Sequence, residues 1–156
     1  MRKKKLIKNH PLKEDFKYSS LVVSELINKV MLSGLKEKAS RIVYSSFDDL
    51  EKKFSTSPLT ILEQALENLR PKLELRTRKI GGANCQVPFE VEPKRALTLT
   101  LRWIVEAARK RKANAMSKCL SLEIIDAFNK TGEAFKKKEN IQKMAISNLA
   151  FSSYRF

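Results

Sequence analysis

Apolar residues recur along this chain with a helical period on either side of one short interruption, and the two rhythms divide it into elements. Val23, Ile27, Val30 and Met31 place one face on a first helix over Ser20–Leu32, which Gly34 stops. A second helix runs from about Leu35 to Phe54, with the stripe Ala39, Ile42, Val43, Ser46, Phe47, Leu50 and Phe54 facing inward. Ser57-Pro58 reads as an N-cap followed by proline at the first helical position, opening a third helix with Leu62, Ala65, Leu66 and Leu69 inside; Pro71 ends it. The period then drops to two. Leu73, Leu75 and Thr77 alternate with Glu74, Arg76 and Arg78, and Val87, Phe89 and Val91 alternate with Gln86, Pro88 and Glu90. Gly81-Gly82 between the runs predicts a hairpin, because the tight turns that join antiparallel strands need positive φ, which glycine adopts at little cost. After Pro93 the helical period returns. It predicts a fourth helix to about Arg111 (Leu97, Leu101, Ile104, Val105, Ala108) and a fifth bearing Met116, Leu120, Ile124, Ala127 and Phe128, ended by Thr131-Gly132. A sixth spans Glu133 to about Leu149. The expected fold is mainly α: a single helical domain of about six helices with a protruding two-stranded β-hairpin arm. Residues 1–17 form a basic N-terminal extension, 18–150 the helical body with its hairpin at 73–91, and 151–156 a C-terminal tail.

Composition narrows what such a body does. At 156 residues and 42% hydrophobic content the chain buries a core without staples. Its Lys+Arg total of 32 against 17 Asp+Glu leaves a net charge of +15, far beyond what solubility requires, and an excess of that size points to a polyanion, nucleic acid foremost. Cys85 and Cys119 are too few for a disulfide framework and lack the paired spacing of a zinc site, so they read as reduced thiols and no metal or cofactor is expected. No apolar run approaches the roughly 20 residues that cross a bilayer, and the lysine-rich start lacks the apolar stretch of a signal peptide, so no membrane partner is expected. Catalytic chemistry draws on histidine or on paired carboxylates. The only histidine, His10, falls in the basic extension; Asp48-Asp49 diverge around a helix, and Glu63 and Glu67 read as a solvated face. No enzyme is expected.

The cations sort into four candidate contacts. Arg76, Arg78 and Lys79 lie on the first strand. Arg95, Arg102 and Arg109 recur every seven residues and so share one outer helix face, with Thr98 between them and Lys94, Lys110 and Arg111 beside them. Lys36 and Lys38 flank the turn into the second helix. Arg2, Lys3, Lys4, Lys5, Lys8 and Lys13 charge the extension, which is expected to order only on a partner. Charge at the end of the fourth helix also suits its own dipole, whereas three cations on a hairpin edge have fewer structural reasons. Spread over strand, helix and tail rather than on one recognition helix, the set suits folded RNA, which proteins read through shape and backbone.

Several strings are more specific. NKVMLSGLKEKASRIVYSS at Asn28–Ser46, ALENLRP at Ala65–Pro71, RKIGGANCQVPFEVEP at Arg78–Pro93 and RWIVEAARKR at Arg102–Arg111 lie collinear with Lys137-Lys138-Glu139, Met144-Ala145, Asn148, Ala150-Phe151 and Tyr154-Arg155. Together they closely resemble the bacterial-type small ribosomal subunit protein seven family from Tyr18 onward. The resemblance implies a structural constituent of the small-subunit head that binds the 3′ major domain of small-subunit ribosomal RNA as a primary binder and nucleates head assembly. It implies RNA contacts at Lys36, Arg76, Arg78, Lys79, Arg95, Arg102, Arg109 and Arg111, together with the basic extension. The hairpin tip, here Gly81, Gly82, Ala83 and Asn84, would project toward exit-site transfer RNA and the messenger path. Further implied partners are neighbouring head proteins and, for the last helix, the platform protein of the eleventh family. This chain departs from the family pattern at Leu35, Ala83-Asn84-Cys85, Gln142, Leu149 and Phe156. The alternatives are a stand-alone RNA-binding translational regulator and a helical module that binds DNA or an acidic protein. The expected location is a ribosome, in an organelle stroma, with lysine over arginine favouring a plastid, or in a bacterial cytoplasm.

Overall fold

Six amphipathic helices and one hairpin make up most of the computed structural model, which describes residues 11–112 and 115–150. In chain order they are α1 (Leu21–Val30), α2 (Lys36–Phe54), α3 (Pro58–Leu69), β1 (Leu73–Ile80), β2 (Ala83–Glu90), α4 (Pro93–Lys110), α5 (Met116–Phe128) and α6 (Gly132–Ser147). The mainly α fold with a hairpin arm is therefore the one the periodicity predicts. Arg2, Lys3, Lys4, Lys5, Lys8 and His10, with Phe151, Tyr154 and Phe156, lie outside the described residues.

α5 is the hub. It packs against α2, α3, α4 and α6, and Cys119, Leu120, Ser121, Glu123, Ile124, Ile125 and Ala127 are all buried, so little of its circumference meets water. A helix enclosed on this many sides shows a weak apolar contrast, as such helices do. Around it Phe47 and Leu50 of α2, Leu62 and Leu69 of α3, and Leu101 and Ile104 of α4 are fully buried, and Phe54 meets Phe128 with ring centroids 5.8 Å apart. Trp103 is packed, at 5% exposure. No described helix is long and apolar enough to cross a membrane.

Local chemistry sets the boundaries. Prolines occupy the first turns of α3 and α4, where the missing N–H is no loss. Ser57 takes the N-cap position of α3 as expected, yet its hydroxyl makes no capping bond. The junction of α5 and α6 differs from expectation. Lys130, not Gly132, takes the left-handed conformation that ends α5 (φ 57°), and the Thr131 N–H returns to the Asp126 carbonyl at 2.8 Å. Gly132 instead opens α6 at φ +86°, and a Cβ there would stand 2.8 Å from the Asp126 Cβ. Glycine is needed because the two helices approach closely at this corner.

In the hairpin, Gly81 and Gly82 both have positive φ (56° and 90°), the requirement of a two-residue primed turn. The register pairs Leu73 with Glu90, Arg76 with Val87 and Ile80 with Ala83. Directly paired residues share a face, so the Glu74, Arg76, Arg78 side of β1 lies with Phe89, Val87 and Cys85 of β2. The ribbon packs against α6 and Val87 is fully buried, while Lys79, Gly81, Gly82, Ala83 and Asn84 are exposed.

Candidate nucleic-acid interface

At the foot of the hairpin a single carboxylate organises two arginines, and a third lies beside them on a shared aromatic ring. Glu74, 8% exposed, accepts from Arg76 Nε at 2.6 Å on one oxygen and from Arg95 Nε at 3.2 Å on the other. Arg76 follows Glu74 by two residues and so stands on the same face of β1; Arg95 comes from the first turn of α4. The register adds Phe89, whose ring lies 5.0 Å from the Arg76 guanidinium and 5.8 Å from that of Arg78. Burial pushes the Glu74 pKa up, but the bonds from Arg76 and Arg95 outweigh it and hold the carboxyl below its ordinary 4.5. With Glu74 ionised, three guanidinium groups against one carboxylate leave a local surplus of two positive charges at the ribbon base.

From there the charge continues along α4. Arg95, Arg102 and Arg109 are exposed, and their seven-residue spacing puts neighbours about 10.5 Å apart along the axis. Arg102 has no partner among the described residues. Arg109 donates to the carbonyls of Lys29 and Val30, at 3.3 and 3.2 Å, which are the last of α1. It therefore stabilises the end of a neighbouring helix rather than its own, through the same dipole interaction. Thr98, on the same face, donates to Glu25 of α1 at 2.8 Å. Beyond the end of α1 the chain turns through Gly34 to Lys36, which with Lys38 and Arg41 lines a shallow depression. Lys36 and Lys38 are exposed and unpartnered among the described residues, as is Lys79 on β1. Arg78, Arg76, Arg95, Arg102 and Arg109 thus follow one another as a basic strip from the hairpin base along α4 to the end of α1, with Lys79 exposed beyond one end and Lys36 exposed in the turn that follows α1. Gly81, Gly82, Ala83 and Asn84 are exposed at its hairpin end.

Arg111 does not join it. As the C-cap of α4 it leaves the helical path, and its guanidinium donates to Glu123 at 2.9 and 2.6 Å and also to Asp126. Glu123 is fully buried, and its other oxygen accepts the Ala134 N–H at 3.0 Å. Burial alone would lower the arginine's pKa; the two carboxylates outweigh it and raise it. Arg111 is thereby a clamp holding the end of α4 to α5 and to the first turn of α6. Chain adjacency groups Arg111 with the exposed cations of α4, whereas its guanidinium is paired with the carboxylates of α5.

Sequence reasoning also passed over the two organising carboxylates. Both left a signal. Glu123 stands four residues after Cys119 and four before Ala127, on an otherwise apolar face, and Glu74 shares the strand face of Arg76 and Arg78. Among the described residues no group of three His, Cys, Asp or Glu side chains is arranged to hold a metal ion.

The chain matches the family model described as ribosomal protein S7p/S5e over residues 1–149. It is 52% identical over 139 residues to the small ribosomal subunit protein uS7 of Dictyoglomus turgidum, covering 89% of each chain. Against the protein of the same name from Thermotoga petrophila it is 50% identical over 139 residues, covering 89% of this chain and 90% of the relative. Identity to that of Treponema denticola is 43% over 152 residues, 97% of each chain. All three relatives are bacterial, which lends nothing to the plastid expectation drawn from lysine content.

Proposed function

The chain belongs to the ribosomal protein S7p/S5e family, and from that premise we propose that it is a structural, non-enzymatic constituent of the small ribosomal subunit whose basic strip grips ribosomal RNA. The RNA is the 3′ major domain of the small-subunit molecule, and binding there nucleates assembly of the head. The observation that carries this reading is the strip itself: cations of a strand and a helix following one another, with Lys79, Arg102 and Lys36 unpartnered among the described residues. Such a surface works by neutralising phosphates and matching backbone shape, with no base readout required. Arg76, Arg78, Arg95 and Arg109 are held in place by Glu74, Phe89 and the end of α1, which reduces the side-chain entropy lost on binding. Arg111 is left out of this set. The exposed tip at Gly81, Gly82, Ala83 and Asn84 extends toward exit-site transfer RNA and the messenger path, and α6 toward the platform protein of the eleventh family. The bacterial relatives favour a bacterial cytoplasm as the location of the ribosome concerned.

Titrating a transcript of the 3′ major domain over a salt series tests the proposal. Affinity is expected to fall by roughly 10³ to 10⁵ between 50 and 200 mM salt, as when on the order of 6 to 10 phosphates are neutralised. Duplex DNA should compete poorly, and the protein should stay with small subunits through a moderate-salt wash. Binding insensitive to salt, equal competition by duplex DNA, or release in the wash would overturn it, the last in favour of a regulator acting off the ribosome.

A further inference from the structure

Asp15 to Tyr18 precede α1 in a turn fastened to α2 by every side chain but one. Asp15 is buried, and its carboxylate accepts the N–H groups of Lys17 and Tyr18 at 3.1 and 3.2 Å and the Tyr44 hydroxyl at 2.7 Å. The backbone closes the turn again: the Ser19 N–H reaches the Asp15 carbonyl at 2.9 Å, and the Asp15 N–H reaches that of Ser20 at 3.3 Å. Tyr18 sets its ring edge-on to Phe47, centroids 5.2 Å apart, and Lys17 pairs with Asp48 at 3.2 Å. Phe16, between these anchored neighbours, is 99% exposed.

An apolar ring of this size forgoes the free energy of burial by staying in water, and its backbone is tied down on both sides. Its place is therefore settled by the turn and not by the ring. What such a ring offers is a flat apolar face with few rotamers to freeze, presented to whatever approaches. Glu14 and Asp15 come directly before it, but the stretch as a whole is cationic: Lys13 and Lys17 lie close by, and Arg2, Lys3, Lys4, Lys5 and Lys8 come earlier in the chain. A polyanion is the partner those charges attract, and the flat apolar surfaces a polyanionic nucleic acid carries are its bases. Bases within a duplex are stacked on one another, so only an unpaired one has a face to give.

We propose that Phe16 is a stacking platform for an unpaired base of the RNA that the basic strip engages, a reading that rests on the function proposed above. It supplies a base contact to a surface otherwise built for phosphates. Base–aromatic stacking tolerates any base, so the platform selects for an unpaired nucleotide rather than for a letter of sequence.

Because the ring is 99% exposed, Phe16→Ala should fold as the parent does. Its affinity for the 3′ major domain transcript is expected to fall by roughly 5- to 100-fold, the range of single base–aromatic contacts, with the salt dependence unchanged. Polyphosphate, which has the charge without bases, should bind parent and variant alike. Phe16→Trp should keep RNA affinity, and its indole emission should be quenched on binding, over the constant signal of buried Trp103. Equal RNA affinity for Phe16→Ala and the parent, a matching loss on polyphosphate, or unquenched Trp emission would each overturn the inference. So would unchanged RNA affinity with poorer incorporation into small subunits, which would make the ring's partner a protein. If the parent itself fails to bind the transcript in a salt-dependent way, the function proposed above fails with it; if only the Phe16→Ala comparison is flat, that function stands and this inference alone falls.

Discussion

Two clusters in this molecule are built from the same parts and put to opposite uses. At the hairpin base, buried Glu74 receives Arg76 and Arg95; at the α4–α5–α6 junction, buried Glu123 receives Arg111. The difference is in the count and in the lid. Asp126 joins Glu123, so the inner cluster sets two carboxylates against one arginine, and an N–H of α6 takes the remaining oxygen. The hairpin cluster has one carboxylate for three arginines whose outer edges meet solvent. A buried carboxylate with its charges answered holds elements together; one outnumbered at the surface arranges cations for a partner that has not yet arrived.

The largest effect expected from breaking this comparison is at the inner cluster. Glu123→Ala removes the buried partner of a partly exposed guanidinium and frees the Ala134 N–H, and breaking a buried pair costs up to roughly 3 to 5 kcal/mol. Urea unfolding monitored by far-UV circular dichroism measures it. A loss below about 1 kcal/mol would mean that Asp126 alone satisfies Arg111.

Next in size is the glycine that lets the inner cluster close. Gly132→Ala forces a side chain into a positive φ and sets its Cβ 2.8 Å from that of Asp126, the residue that shares Arg111. Strain and overpacking of this kind cost about 1 to 3 kcal/mol. A double-mutant cycle in which Asp126→Gly costs less in the Gly132→Ala background than in the parent would locate the clash; a neutral Gly132→Ala would show that the corner relaxes freely.

Glu74→Gln tests the outer cluster, where the stability lost should be only about 1 kcal/mol because both arginines are half in solvent and solvent screens their attraction. RNA binding should move the other way: with its counter-charge gone the cluster neutralises one more phosphate, and the salt slope steepens by about one. A pH series tests the outer cluster directly. Folding holds the Glu74 pKa below 4.5, so its contribution is complete above that value and disappears as pH falls through the lower folded value. Acid should therefore loosen the hairpin base. The Arg95 to Glu74 contact, followed by amide exchange at β1, is the reporter, and a base that loosens only with global unfolding would remove the distinction drawn here.

What the sequence made legible follows from how local each signal is. The stripes of α2 and α3 could be read because burial on one helix face repeats within a few residues, and the hairpin because Gly81-Gly82 announces its own turn. The clusters could not. Glu74 meets Arg95 across 21 residues and Arg111 meets Glu123 across 12, and which strand residues share a face depends on register. Arg111 shows the limit most clearly. Residue spacing fixes direction only while the chain stays helical, and at the C-cap of α4 the backbone has already turned away (ψ 104°), carrying the side chain inward. Gly132 misled for a related reason: a glycine after a helix suggests its end, but Lys130 had already provided the left-handed residue.

The smallest structural effect is expected at Arg102, and it sharpens the comparison most. Arg102 stands midway between Arg95 and Arg109, exposed and unpartnered among the described residues, so it belongs to neither the clamp nor the carboxylate cluster. Arg102→Ala should leave stability within about 0.5 kcal/mol of the parent. On RNA it should weaken binding uniformly across sequences and reduce the salt slope by about one, the signature of a single phosphate contact. Arg111→Ala should do the reverse, lowering stability steeply while the fraction that remains folded binds RNA with an unchanged slope. Measuring both variants in both assays separates the roles of two arginines nine positions apart on the same stretch of chain. Should Arg111→Ala flatten the salt slope as Arg102→Ala does, the clamp would also be a contact, and the division of labour between the two clusters would not hold.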